Sequence, residues 1–201
     1  MDVKIYDNVS LGENPSIGEW VILGYPPRGK ALPLSIGDNC VIRSHTVIYA
    51  GNTIGDGFQT GHHVMIRENN TIGDFVSVGT GSVIEHHVKI GDKVRIHSQA
   101  FVPEFSVLEK GVWIGPNVVV TNAKYPNAPD TKNNLEGVYL EEGCKIGANA
   151  TLLPGIRVGR FALIGAGSVV TKDVPDWAVV RGVPAKVVGR VDEIESYKKA
   201  L

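Results

Sequence analysis

Residues 71–92 read TIGDFVSVGTGSVIEHHVKIGD, and the tripeptide Ile-Gly-Asp occurs twice in this stretch, at 72–74 and 90–92. Two earlier copies lie at 36–38 and 54–56, so the spacing between copies is constant over all four. A branched aliphatic residue also returns at every sixth position. Fourteen of the fifteen positions from 36 to 120 carry one, and Thr60 is the exception. The pattern stops over residues 121–139 and then holds at six more positions from 140 to 170.

A period of six fits neither an α-helix of 3.6 residues per turn nor an isolated alternating strand. It fits short strands separated by tight corners, each strand sending one large side chain inward. A second column, four residues after the first, is mostly small or β-branched and includes Cys40, Val76 and Ala150. Three six-residue units per Ile-Gly-Asp interval therefore predict an all-β fold: a triangular prism of stacked parallel coils.

The repeat also predicts the domain organisation. Residues 1–190 form one β-helical domain, in which the repeat is recognisable from roughly residue 15, with a loop insertion at 121–139. The Pro/Gly-rich stretch GYPPRGKALP at 24–33 interrupts the early part of the repeat. The last residues, VDEIESYKKAL at 191–201, have the spacing of a short amphipathic helix.

Composition excludes several classes of protein. The 201 residues carry a formal charge of −1, and non-specific nucleic-acid binding needs clustered positive charge. No apolar run is long enough to span a bilayer, and the N-terminus lacks the apolar core of a signal peptide. We therefore expect a cytoplasmic protein that binds neither nucleic acid nor membrane. Cys40 and Cys144 are too few for a disulfide framework and are expected to be small buried side chains.

Stacking of one Ile-Gly-Asp interval on the next places corner residues above one another. One predicted column contains Glu68, His86, Glu104 and Asn122, and the 121–139 insertion leaves from the same corner. Long loops in compact repeat proteins are often functional. A carboxylate beside an imidazole can hold the ring in one orientation. This corner is the candidate site for chemistry, although a hydrated corner histidine is the simpler alternative for any single position.

The pattern resembles the hexapeptide-repeat acyltransferase superfamily, whose fold is a left-handed parallel β-helix. The run IGAGSVVTKDVP…VVRGVPAKVVG, residues 164–189, is similar to the C-terminal signature of the acetyl-CoA-dependent members. The resemblance implies acetyl-CoA as cosubstrate, no metal, and a homotrimer in which the long loop reaches a neighbouring subunit. It implies a set of cofactor-binding residues in the last coils: Gly147, Ala148, Ala166, Lys172, Arg181 and Lys186.

The start of the loop indicates the acceptor. Sugar O-acetyltransferases of the superfamily keep a histidine there as a base, whereas this chain has Asn122, Ala123 and Lys124. An amine needs such a base less than an alcohol does. The chain looks most similar to the nucleotide-sugar N-acetyltransferases, which implies acetyl transfer to the amine of a UDP- or dTDP-linked amino sugar. His86 and Glu68 are then the predicted catalytic residues. The predicted substrate-binding residues are Arg67, Asn69, His97, Glu104, Asn122 and Lys124.

Three alternatives stay open at this point. An O-acetyltransferase could use His86 or His97 as its base. A zinc hydratase similar to γ-class carbonic anhydrases shares the fold, but that family places a second histidine five residues after the first, and here Arg67 follows His62 at that distance. A purely structural β-helix leaves the CoA-like signature unexplained.

Overall fold

The chain folds into a left-handed parallel β-helix with three flat faces. The structure, a computed structural model, describes residues 2–30 and 32–198. Each face is a sheet that gains one short strand per coil, and we number the sheets in the order in which a coil meets them. The predicted fold class is confirmed.

The strands are mostly two residues long. The first sheet contains nine strands: Lys4–Ile5, Ile22–Tyr25, Val47–Tyr49, Met65–Ile66, Val83–Ile84, Phe101–Val102, Val119–Val120, Thr151–Leu152 and Val169–Val170. The second contains eight: Val9–Leu11, Leu34–Ile36, Thr53–Ile54, Thr71–Ile72, Lys89–Ile90, Val107–Leu108, Tyr139–Leu140 and Arg157–Val158. The third contains ten: Ser16–Ile17, Val41–Ile42, Gln59–Thr60, Ser77–Val78, Arg95–Ile96, Trp113–Ile114, Lys145–Ile146, Leu163–Ile164, Ala178–Gly182 and Ala185–Arg190.

The six-residue pattern identifies the core correctly. All twenty-one positions of the inward column from residue 36 to 170 are at most 3% exposed. Neighbouring coils align three six-residue units apart, as in the pairing of Ile66 with Ile48 on one side and Ile84 on the other. The exception, Thr60, is buried and keeps its hydroxyl oxygen 3.0 Å from the backbone N–H of Arg43, which donates to it. The polar atom at this core position is therefore satisfied.

The Ile-Gly-Asp repeat has a structural cause. The Oδ1 atoms of Asp56, Asp74 and Asp92 each accept a hydrogen bond from the backbone N–H of the aspartate one coil earlier, at 2.8, 2.9 and 3.0 Å. A Cβ at Gly37 would stand 2.2 Å from the Asp56 carboxylate oxygen. The glycine is needed because its missing side chain leaves room for this bond.

The helix begins earlier than the sequence analysis expects. Strands are present from Lys4–Ile5, and residues 5, 11, 17 and 23 carry the same six-residue pattern. The next residue of this column is Ile36, and it pairs with Leu11 across a longer interval than the regular coil allows. The seven extra residues belong to the Pro/Gly-rich stretch and put the first coils out of phase with the rest.

The C-terminal end closes with a hairpin. Ala178–Gly182 continues the third sheet, and Ala185–Arg190 pairs with it antiparallel. A 3-10 turn at Val191–Glu193 and a short α-helix at Glu195–Lys198 follow. The last three residues of the helix expected at 191–201 lie outside the described residues.

Candidate active site

The candidate site lies where the first sheet turns into the second, a region we call the His86 corner and define as residues 67–69, 85–87, 103–105 and 121–123. Each segment follows a strand of the first sheet. The third residue of three of these segments, Asn69, His87 or Phe105, has a positive φ of 61°, 58° or 65°. This left-handed turn repeats once per coil, which keeps the side chains of successive coils over one another.

Arg67 bridges two carboxylates at this corner. Its guanidinium donates to both oxygens of Glu68, at 2.9 and 3.1 Å, and to Glu85 at 3.3 Å. Burial by itself would raise the pKa of Glu68. Its hydrogen bonds with Arg67 and with its own backbone N–H, together with the charges of Arg67 and His86, outweigh burial and hold the Glu68 pKa below its ordinary value. Glu68 is therefore ionised and already bound.

Glu85 behaves in the opposite way. Its burial raises its pKa above the ordinary value, and the charges of Glu104 and Glu68 add to that effect against Arg67 and His86. The pKa values of the two neighbouring carboxyl groups therefore shift in opposite directions. Glu68, bound by two guanidinium nitrogens, is the stronger acid, and Glu85 is the weaker one.

His86 is held from both ring nitrogens. Its Nδ1 is 2.8 Å from the Nδ1 of His87, a hydrogen bond whose donor depends on which ring carries the proton. Its Nε2 is 3.6 Å from Glu104 Oε1, within ion-pair distance. Both imidazoles also contact the ring of Phe105, with centroids 5.9 and 5.8 Å away. The His86 side chain is 28% exposed, so these contacts cover the ring only in part.

Glu104 links His86 to the long loop. Its Oε2 accepts a hydrogen bond of 2.7 Å from Asn122 Nδ2 at the loop entrance. The loop exit is fixed to the entrance, because the Glu136 N–H donates to the Asn122 carbonyl at 2.9 Å. A Cβ at Gly137 would lie 2.3 Å from the backbone of Phe105, which shows how closely the returning chain crosses this coil. The loop, with a 3-10 turn at Thr131–Asn133, thus stands directly on the His86 corner.

Buried asparagines support the corner from inside. Asn70 is 2% exposed, and its amide donates to the Arg67 carbonyl at 2.8 Å while its Oδ1 accepts from the Val88 N–H at 2.7 Å. Asn52 does the same one coil earlier, donating to the Tyr49 carbonyl and accepting from the Asn70 N–H. The backbone that carries Arg67 is therefore fixed by side chains of the core.

The structure brings together five of the predicted acceptor-side residues, Arg67, Glu68, His86, Glu104 and Asn122, at this corner. Glu68 interacts with His86 only through the electrostatic effect of its charge. The residues in contact with the His86 ring are His87, Glu104 and Phe105. The side chain of Asn69 turns towards the preceding coil, where its Oδ1 would be 2.4 Å from a Cβ on Gly51. Lys124 is exposed on the loop, with its Nζ 5.7 Å from the Tyr125 ring centroid.

His97 lies at another corner. It follows a strand of the third sheet and packs against Trp113, with ring centroids 4.6 Å apart. Burial lowers the pKa of His97, and the charge of Arg95 lowers it further. Its Nε2 is buried without a hydrogen-bond partner among the described residues. His97 therefore lines a polar cavity of about 330 Å³ on the third sheet rather than the His86 corner.

The six predicted cofactor residues all lie in the last coils, but not on the same edge of the first sheet. Gly147, Ala148 and Ala166 lie at the corner between the third and first sheets, and Arg181 pairs with Lys186 across the terminal hairpin. Lys172 instead follows the first sheet, on the side of the His86 corner. A Cβ at Gly147 would stand 2.6 Å from the Ala166 N–H nitrogen, so this glycine is required for coil stacking itself.

Other chemistries find little support in these residues. Burial raises the pKa of Cys144 to about 12, and burial also raises that of Cys40, so neither buried thiol is a ready nucleophile. Within residues 2–30 and 32–198, no three His, Cys, Asp or Glu side chains are grouped so as to hold a metal ion. Over the same residues, none of the helices has the length and apolar character needed to cross a membrane.

The sequence analysis missed several residues of this region. Glu85 and His87 directly contact Arg67 and His86, and both could have been found because they precede or follow His86 by one residue. Tyr25 could not be found by the regular coil spacing. It pairs with Tyr49 out of step with that spacing, after an irregularity between Leu23 and Tyr25.

Comparison with known proteins agrees with the repeat. The family described as bacterial transferase hexapeptide (six repeats) matches residues 71–104 and 137–172, and the hexapeptide repeat of succinyl-transferase matches residues 33–58. The crystal structure of the polysialic-acid-specific acetyltransferase NeuO superposes with a TM-score of 0.57 at 20% identity, covering 99% of this chain and 91% of that one. That similarity concerns the fold.

Two sequence relatives match over shorter stretches. A galactoside O-acetyltransferase of Lactococcus lactis subsp. lactis is 41% identical over 86 residues, which is 41% of this chain and 42% of that protein. A 2,3,4,5-tetrahydropyridine-2,6-dicarboxylate N-acetyltransferase of Staphylococcus aureus is 39% identical over 92 residues, which is 46% of this chain and 36% of that protein. The chain thus spans less than half the length of each relative. The repeat, the coiled fold and the family matches over residues 33–58, 71–104 and 137–172 make the chain similar to the hexapeptide-repeat transferases.

Proposed function

We propose that the protein transfers the acetyl group of acetyl-CoA to the amine of a nucleotide-linked amino sugar, with UDP or dTDP as the nucleotide. The observation that carries this proposal is the His86 corner: a partly exposed imidazole between His87 and Glu104, beneath the root of a long loop. The two sequence relatives, an N- and an O-acetyltransferase, support acetyl transfer as the reaction class.

His86 is proposed to move the proton. When its Nδ1 carries the hydrogen and donates to His87, Nε2 keeps a lone pair and can accept the amine's proton. Glu104, 3.6 Å from Nε2, then stabilises the imidazolium. Acetyl-CoA supplies the activated thioester. The amine nitrogen forms the amide as the carbon–sulfur bond breaks, and the proton held on Nε2 goes to the leaving thiolate.

Asn122 is not a substitute base, because its amide nitrogen donates to Glu104. An amine acceptor suits this arrangement, since a neutral amine attacks a thioester without prior deprotonation. The roles of Arg67, Asn69 and Lys124 in binding the acceptor, and of His97, stay predictions.

The donor is proposed to bind at the last coils. Gly147, Ala148 and Ala166 offer a surface of small side chains, and Arg181 and Lys186 lie side by side on the hairpin, where they can pair with the CoA phosphates. Val183 and Val187 are 72% and 59% exposed beside them. Lys172 is the one predicted donor residue on the other side of the first sheet.

A homotrimer is proposed because, within one chain, the donor residues and the His86 corner lie on opposite edges of the first sheet. Ala166 and the next corner lie on opposite edges of the first sheet, six residues apart, which is up to about 20 Å of extended chain. The outer surface of that sheet is apolar over six successive strands: Ile22, Val47, Met65, Val83, Phe101 and Val119. Contiguous apolar surface of this kind is typical of subunit interfaces. A second copy on this face would bring its donor residues to the first copy's His86.

The cytoplasmic location stays a prediction.

Acetyl transfer to a sugar hydroxyl is the second candidate. The imidazole–carboxylate pair of His86 and Glu104 could activate an alcohol, and one relative is an O-acetyltransferase. No comparable observation supports a zinc-dependent hydratase. Stoichiometric zinc in the purified protein would be the evidence for that activity.

The test is thiol release from acetyl-CoA against two matched panels, UDP- and dTDP-linked amino sugars and the same compounds with hydroxyl in place of the amine. We expect turnover with at least one amine and none above background with its hydroxyl counterpart. Turnover with hydroxyl compounds alone would establish the O-transfer alternative, and failure to bind CoA would contradict both.

A further inference from the structure

A cleft next to the His86 corner is not used by the chemistry described above. It has a volume of about 580 Å³, within the range of small-molecule sites. The cleft is lined by Tyr25, Pro26, Pro27, Arg28, Tyr49 and Arg67. We propose that it binds the nucleotide part of the acceptor, with the base on the Tyr25 ring and the diphosphate on Arg28. This inference rests on the proposed function.

The local backbone turns Tyr25 into the cleft. Gly24 has a φ of +78°, and a Cβ there would lie 2.5 Å from the Val9 side chain. The register between this strand and the next is irregular at the same point. Such an irregularity re-aims the following side chain. The two prolines after Tyr25 then fix the direction of the chain to Arg28, so less freedom is lost when a ligand binds.

The aromatic rings provide a stacking surface. The Tyr25 and Tyr49 ring centroids are 5.0 Å apart, and the Arg67 guanidinium carbon is 5.0 Å from the Tyr49 centroid. Tyr49 is therefore covered by its neighbours, while Tyr25 is 40% exposed. An exposed aromatic ring held by a second one can stack with a nucleobase.

The two arginines of the cleft differ in their partners. Arg67 is bound by Glu68 and Glu85, and its charge is used. Arg28 is exposed, and within residues 2–30 and 32–198 it forms no ion pair with a carboxylate. A free guanidinium is well suited to bidentate contact with phosphate. Arg28 is thus the group of this cleft that can bind a diphosphate.

The distance to His86 suits one extended ligand. Tyr49 ends a strand of the first sheet, and the strand before His86 is two steps further along that sheet. At about 4.8 Å per step, the two positions are about 10 Å apart along the helix axis, and Tyr25 is about 14 Å away. A base at Tyr25 would place a diphosphate and then a sugar along the corner towards His86.

The experiment measures UDP and dTDP binding by titration calorimetry to the full chain in the presence of CoA. Tyr25→Ala should weaken the better-bound nucleotide about 10-fold or more, and Tyr25→Phe should keep most of the affinity. Arg28→Ala should weaken the nucleoside diphosphate about 10-fold, leave the free nucleoside unchanged and reduce the salt dependence of binding. Phe75→Ala, an exposed aromatic residue at another corner, and Arg95→Ala on the third sheet are the matched controls and should bind like wild type.

Kinetics separates this inference from the proposed function. With a nucleotide amino sugar, both cleft variants should raise KM with kcat within about twofold of wild type. Wild-type and cleft-variant proteins that bind UDP and dTDP equally well, or not at all, would overturn the nucleotide site even if amines are acetylated. Nucleotide binding that is lost in both variants would support the site even if no amine is acetylated, in which case the proposed function alone fails.

Discussion

Replacing Asn70 with alanine tests whether the core holds the active corner in place. The Asn70 side chain is 2% exposed and forms two hydrogen bonds, to the Arg67 carbonyl at 2.8 Å and from the Val88 N–H at 2.7 Å. Alanine leaves both backbone groups without these partners. Each unsatisfied buried group costs about 1–3 kcal/mol, so Asn70→Ala should lower the free energy of unfolding by roughly 2–6 kcal/mol. That is a large part of the roughly 5–15 kcal/mol of a typical domain.

The assay is urea unfolding followed by circular dichroism at one fixed protein concentration, because an oligomer's stability depends on concentration. Asn133→Ala, in the exposed 3-10 turn of the loop, is the control and should change stability by no more than about 0.5 kcal/mol. A second readout is the acceptor KM, which should rise because Arg67 loses its backbone anchor. An Asn70→Ala protein as stable as Asn133→Ala would refute the argument that these buried bonds fix the corner.

Three further changes test the site, the assembly and the pH response. His86→Gln should lower kcat/KM for the amine acceptor about 10²-fold or more. His87→Gln should lower it less, because it removes only the hydrogen bond that sets the tautomer of His86. Equal activity of His86→Gln and wild type in the thiol-release assay would contradict a proton-transfer role. Met65→Glu places a charge on the outer apolar face of the first sheet and should convert trimer to monomer in light scattering. Thr53→Glu, on the second sheet, is the control and should stay trimeric. An unchanged molecular mass of the Met65→Glu protein would exclude this face as the interface. The folded-state pKa of His97 is lowered, so its contribution to stability is present above the unfolded pKa near 6.5 and is lost as pH falls through the folded value. His97→Phe should therefore lose less stability than wild type in urea titrations on going from pH 7 to pH 5, and identical pH slopes would be inconsistent with the lowered pKa.

The core could be read from sequence because burial and spacing are tied together in a β-helix. An inward position repeats every six residues, and even Thr60 follows the pattern since a neighbouring backbone N–H satisfies its hydroxyl oxygen. The stacking of His86 between Glu68 and Glu104 follows from the same arithmetic. The sequence also contained the information that separates His97 from His86, because the two are not a whole number of coils apart and therefore lie at different corners.

Other features depended on side-chain geometry that spacing does not determine. Glu68 binds Arg67 and not His86, because the guanidinium reaches both carboxylate oxygens, and this choice of partner depends on side-chain positions in the folded chain. Tyr25 was hidden because seven extra residues shift the first coils out of phase. The need for Gly147 in coil stacking likewise appears only when the Ala166 backbone is placed beside it.

The most direct measurement is a crystal structure of the protein with CoA and a UDP- or dTDP-linked amino sugar. The account predicts that the CoA sulfur and the acceptor amine meet at the root of the loop, with the amine within hydrogen-bond reach of His86 Nε2, about 2.6–3.2 Å directly or through one water. It also predicts that the CoA phosphates lie against the Arg181–Lys186 hairpin of a neighbouring copy. A sulfur atom bound at a different corner, with no acceptor group near His86, would contradict it.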